Sequence, residues 1–148
     1  MKNLINLDTN GCEWISDLFM SSVSKFSKTL EYLNLGHSKI TFHTREHINR
    51  LTKLRALDIG YTNINQFDIQ KICECNPNIQ KLSLCGLSGS TVLIARGILS
   101  KGKMHVLGKL LKNCTHLDVS ECDRLDDTSL DRFIKLQFVN VWNCKGIS

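Results

Sequence analysis

Apolar residues return along this chain in one short frame. The first, fourth and sixth positions are apolar, and a small polar residue stands between the fourth and sixth. Leu30, Leu33 and Leu35 fill it, then Leu54, Leu57 and Ile59, then Ile79, Leu82 and Leu84. Cys114, Leu117 and Val119 follow, and Leu136, Val139 and Val141 close the series. Leu4, Leu7 and Thr9 open it with a threonine in the sixth place. Alternation over three residues predicts a strand whose fourth and sixth side chains point to one side and whose fifth points to the other. Between the frames the apolar spacing widens to that of a helix. It predicts helices over 17–28, 44–53, 68–75, 104–112 and 128–135. The third must stop before Asn76-Pro77, because proline has no amide hydrogen and restricts the residue ahead of it. Asp127 or Thr128 is the expected N-cap of the fifth.

The frames start at 4, 30, 54, 79, 114 and 136, at intervals of 26, 24, 25, 35 and 22 residues. Four of the five match the about 20–29 residues of a leucine-rich repeat. The expected fold is an α/β solenoid of about six repeats, a horseshoe with a parallel sheet on the concave face and helices on the convex face. No single repeat buries its own apolar face, so about three must stack to make a core. One domain over 1–148 is expected. The 35-residue interval predicts an insert near 89–103, with 90–99 as the added segment and 101–103 as a turn; Gly86-Leu87-Ser88-Gly89 reads as another turn. The first frame begins at Leu4 and the last stops at Ile147-Ser148. Repeat arrays normally end in caps, so a fragment of a longer protein is expected.

Composition narrows the class. Apolar residues make up 42% and charged residues 22%, the balance of a globular chain. The net charge is +5, but lysines and arginines are scattered, without the long block of like charge expected of a nucleic-acid tract. No apolar run reaches membrane length, and no signal-peptide pattern opens the chain. Seven cysteines without an export signal predict reduced thiols in the cytoplasm or nucleus.

Cysteine also marks the ninth frame position in three repeats, at Cys12, Cys122 and Cys144, followed three residues on by Ile15-Ser16-Asp17, Leu125-Asp126-Asp127 and Ile147-Ser148. Ser38, Thr62 and Leu87 take that place in the middle repeats. A small residue there sits inside the coil and serves turn backbone that would otherwise lack partners. This cysteine form resembles the repeats of F-box/leucine-rich-repeat proteins. The resemblance implies a substrate-recognition array of an SCF-type ubiquitin ligase receptor. No F-box is recognisable in this chain, so binding of the Skp adaptor would need one outside it. Related repeats in non-F-box proteins, such as the mitochondrial ATP-synthase coupling factor B type, imply an assembly or adaptor role instead.

Catalytic and metal signatures are missing from the sequence. Cys73 and Cys75 would diverge by about 200° on a helix, so one is expected to be buried and the other exposed. Cys12, Cys122 and Cys144 follow the repeat register and need no ion to explain them. His43 and His47 lack the glutamate that a zinc-protease motif places directly after its first histidine. No nucleophile elbow, phosphate loop or dinucleotide fingerprint occurs. The expectation is therefore a protein-binding scaffold with no catalytic residues and no cofactor. Its fifth frame positions form a polar ladder of Asp8, Asn34, Asp58, Ser83, Asp118 and Asn140. Around that ladder, Tyr32, His37, Arg55, Tyr61, His116, Phe138 and Trp142 are the expected partner-binding residues, since aromatics and arginine dominate binding hot spots.

Overall fold

The computed structural model describes residues 3–87 and 99–148. Each frame forms a three-residue strand: β1 (Asn6–Asp8), β2 (Tyr32–Asn34), β3 (Ala56–Asp58), β4 (Lys81–Ser83), β5 (His116–Asp118) and β6 (Phe138–Asn140). They make one parallel sheet in chain order. Register aligns the fourth frame residues, so Leu7, Leu33, Leu57, Leu82, Leu117 and Val139 lie side by side. The four middle leucines are buried, whereas Val139 at the last edge is 40% exposed. Stacking therefore completes each repeat's core, and the edge repeat has a neighbour on one side only.

Pairing runs on beyond the strands. In each of the first five repeats the sixth-position amide donates to the fifth-position carbonyl of the next, as Leu35 does to Asp58 at 2.9 Å. The eighth-position amide then donates to the next seventh-position carbonyl, as Tyr61 does to Cys85 at 2.9 Å. That turn is left-handed at its eighth residue. The eighth positions are Gly11, His37, Tyr61, Gly86, Glu121 and Asn143, and all six have positive φ. Glycine takes that conformation without cost, and other residues pay a steric penalty that the repeat must offset.

The convex layer holds α1 (Asp17–Val23), α2 (Arg45–Asn49), α3 (Gln66–Cys75) and α4 (Lys101–Leu110), each packed on the next. Asn65 caps α3 by accepting from the amides of Phe67 and Asp68, and the helix stops ahead of Asn76-Pro77 as expected. α1 is shorter than its apolar pattern predicts and tightens into a 3-10 turn at Ser24–Phe26. Ser21 and Ser24 bond back to the carbonyls of Leu18 and Ser21, a competition that weakens a helix. Its inward residues are Met20 and Val23, while Leu18 is 85% exposed.

Two expected elements differ. Residues 101–103 are the first turn of α4, not a loop, because Ser100 accepts from the Lys103 amide and starts the helix there. Leu99 just ahead is buried, and the rest of the expected insert falls outside the described residues. Over 128–135 no helix forms; the chain makes successive turns. This repeat spans only 22 residues, too few for a strand, a full helix and the return. Asp126 fixes the turns by accepting from the Thr128 amide and from the hydroxyls of Thr128 and Ser129.

Candidate protein-binding face

The third frame position opens each strand and faces the concave side. Its occupants are Asn6, Tyr32, Ala56, Lys81, His116 and Phe138, adjacent through the sheet register. Together with Asp58, Ser83 and Asp118 behind them, five of these, from Tyr32 to Phe138, line a shallow groove. Ala56 carries only a methyl group, so the groove dips between Tyr32 and Lys81. At its far end His116 and Phe138 overlap, with ring centroids 5.9 Å apart. Phe138 is 56% exposed. Of the seven residues expected to bind a partner, three thus share one surface: Tyr32, His116 and Phe138.

The fifth-position ladder does two things. Asp8, Asn34, Asp58, Asp118 and Asn140 each accept from the backbone amide two residues on, at 2.9–3.1 Å. They hold the turn that follows five of the six strands, an Asx turn repeated along the sheet. Neighbours also bond to each other: Asn140 donates to Asp118 at 3.0 Å, and the Tyr32 hydroxyl reaches Asp8 at 3.5 Å. Burial pushes the Asp58 carboxyl above its ordinary pKa; the Gly60 amide and Ser83 hydroxyl oppose this, and Asp118 and Asp8 add to it. The Tyr32 phenol is also held up, first by burial.

His37 and Tyr61 lie on the turns beyond the strand ends. Their rings stack at 4.3 Å and 15°. The Tyr61 ring lies over Gly86, where any Cβ would collide with it, and its hydroxyl donates to Glu121 at 2.7 Å. That hydrogen bond and one with Cys85, the larger influence, raise the phenol's pKa. Trp142 stands on the last turn, 67% exposed. Arg55 is elsewhere, at the start of β3 beside Glu31, with Nε 3.3 Å from the carboxylate. The seven residues therefore divide among the groove, the strand-end turns and the strand-start edge. Sequence reasoning missed Ala56 and Lys81, which shape the groove without being aromatic. It also missed the left-handed eighth position, although Gly11 and Gly86 stand there.

The ninth-position residues lie inward. Ser38 and Thr62 donate to their own repeat's carbonyls, Leu35 at 2.6 Å and Ile59 at 2.7 Å. The cysteines reach back one repeat: Cys122 Sγ donates to Leu84 O at 3.5 Å and Cys144 Sγ to Val119 O at 3.0 Å. Cys12, in the first repeat, is half-buried. Burial pushes the Cys122 thiol up to about 12 and raises Cys144 as well. Cys73 is buried and Cys75 exposed. Among the described residues no cluster of three or more His, Cys, Asp or Glu is placed to hold a metal ion, and no helix is long and apolar enough to cross a membrane.

Comparison with known proteins bears on the fold. No family model matches the sequence, and no curated protein matches it. Among solved structures the chain is similar to an internalin from Listeria monocytogenes, with a TM-score of 0.65 and 23% identity. The match covers 92% of this chain and 34% of the internalin, so the chain spans about a third of that protein's length. The repeated strand, left-handed turn and convex return make the architecture a leucine-rich repeat solenoid, the fold shared with that internalin.

Proposed function

We propose that this chain is a protein-recognition module that holds a polypeptide in the concave groove between Tyr32 and Phe138. The observation that carries the reading is the aromatic row itself. Tyr32, His116 and Phe138 stand on one sheet face, with Phe138 56% exposed. Large apolar rings left open on a sheet mark a surface that a partner covers. The ladder beneath supplies hydrogen-bonding groups that fix a bound chain's register. The role is binding, with no catalytic step assigned.

Within that reading, the module recognises substrates for an SCF-type ubiquitin ligase in the cytoplasm or nucleus. Support for this comes from the cysteine form of the repeats, in which Cys122 and Cys144 tie each coil to the one before. It requires an F-box elsewhere in the polypeptide to dock the Skp adaptor. The same repeats support a second role, an assembly adaptor of the coupling-factor type. A photo-crosslinking phenylalanine analogue in place of Phe138 tests the binding face, with Leu18 on the convex layer as the control position. A polypeptide captured from position 138 and not from 18 is the expected result; equal capture from both removes the groove. Co-purification of the full-length polypeptide with the Skp adaptor separates the ligase role from the adaptor role.

A further inference from the structure

The lysines and arginines that look scattered along the sequence are gathered by the repeat. Take the windows from five residues before to two after the frame starts at 30, 54, 79, 114 and 136. They hold ten of the 19 basic residues and three of the 14 acidic ones. The fifth to fourteenth frame positions of the six repeats hold nine acidic residues and three basic ones. The parallel register stacks like windows, so the strand-start edge is basic and the strand-end edge acidic. Part of this has a local cause. The helices return against the strands, so their C-terminal ends reach the strand-start edge, and cations such as Lys109 in the last turn of α4 offset the helix dipole.

Lys28, Lys53 and Arg55 lie beyond the helices, and the dipole does not account for them. They line a trough along the strand-start edge with Asn78, Gln80 and Asn113. Arg55 pairs loosely with Glu31, also in the trough. Among the described residues neither Lys28 nor Lys53 has a carboxylate within ion-pair distance. The trough crosses several repeats and is separate from the aromatic groove. Farther along, Lys135 donates to Asn113 at 3.0 Å and carries the basic edge into the last repeat.

We infer that this trough is a second interaction surface and that it binds an acidic polypeptide segment. Its lysines supply the charge complement, and the side-chain amides donate to carboxylates or to a partner backbone. Nucleic acid fits less well: among the described residues no aromatic ring lines the trough to stack a base. The test is fluorescence anisotropy of a labelled oligoglutamate peptide at low ionic strength. Wild type should bind, with affinity falling as salt rises. The double variant K28E/K53E should lose at least about tenfold in affinity. K145E, a charge reversal of an exposed strand-end residue, should leave affinity within about twofold. Melting by circular dichroism checks that the variants fold, and a K28Q/K53Q pair repeats the test without adding negative charge. No wild-type binding, wild-type affinity in both double variants, or tighter binding of oligothymidylate than of oligoglutamate would overturn the inference. A wild-type dimer that the double variant dissolves would assign the edge to a second copy and overturn it too.

Discussion

At the residue scale each repeat position has one physical task. The fourth position fills the coil. Leu57 is 2% exposed, and Leu57→Ala should cost about 2–5 kcal/mol, read as a lower urea midpoint with little change in slope. The eighth position must be left-handed. Gly86→Ala adds strain there and drives a methyl group into the Tyr61 ring; a loss of at least about 1 kcal/mol in the same assay is expected. The fifth position caps a turn, and Asn does this as well as Asp: Asn34 accepts from Gly36 at 3.0 Å and Asp58 from Gly60 at 2.9 Å. Asp58, however, has its folded pKa raised by burial. A raised carboxyl pKa means folding disfavours the charged form, so stability is lost as pH climbs through that value. Asp58→Asn should therefore raise the denaturation midpoint at pH 7, and the gain should vanish once acid has protonated Asp58 in both folded and unfolded chains. Urea titrations at neutral and acid pH check the sign.

At the element scale the convex layer is tied together by side chains reaching from one repeat to the next. Asp17, at the start of α1, accepts from the Thr41 amide and hydroxyl and from the Thr44 hydroxyl. Burial alone would raise its pKa, but these bonds outweigh it and lower the value from 3.8. The stabilising contribution is then complete above the unfolded value and fades as pH falls toward the folded one. Arg45 on α2 reaches Asp68 on α3 at 2.8 Å, and the Asp68 side chain is only 4% exposed. Arg45→Ala leaves that carboxylate buried without its cation and should cost about 3 kcal/mol; Asp68→Asn in the same background should restore much of the loss, measured by chemical denaturation. The helices were legible as apolar spacing, but their lengths were not. Serine back-bonding shortens α1, and a 22-residue interval removes the helix expected over 128–135. Both outcomes depend on competition for backbone partners and on available chain length, and neither is contained in the apolar period.

At the scale of the whole molecule, each coil rests on its neighbours alone, so stability should be graded along the stack. Hydrogen exchange should be slowest in β3, β4 and β5 and fastest in β6, where Val139 lies open; equal protection across the sheet would contradict this. The groove and the basic trough are products of the same stacking. Phe138→Ala should weaken partner capture by at least about 1 kcal/mol while leaving the melting curve nearly unchanged, because that ring contributes more to the surface than to the core. Most of the concave face was readable from the frame: Tyr32, His116 and Phe138 are third-position residues, and the polar ladder is the fifth position. Arg55 was grouped with them by residue type, but it stands one place earlier and lines the strand-start edge.

The sequence by itself determined the repeat, the sheet and the inward residues, because these follow from periodicity, and a parallel stack converts equal spacing into spatial rows. The same reading expected one of Cys73 and Cys75 inside and the other outside, and the fold buries Cys73. Tertiary structure decided what the rows add up to. It set the left-handed eighth position, for which only Gly11 and Gly86 gave a local sign. It placed Tyr61 over Gly86 and against Glu121, 60 residues on. It also collected isolated lysines into one basic edge. Charge along a chain has no fixed meaning until the register shows which residues share a side, and here that register is set by the burial of the leucines.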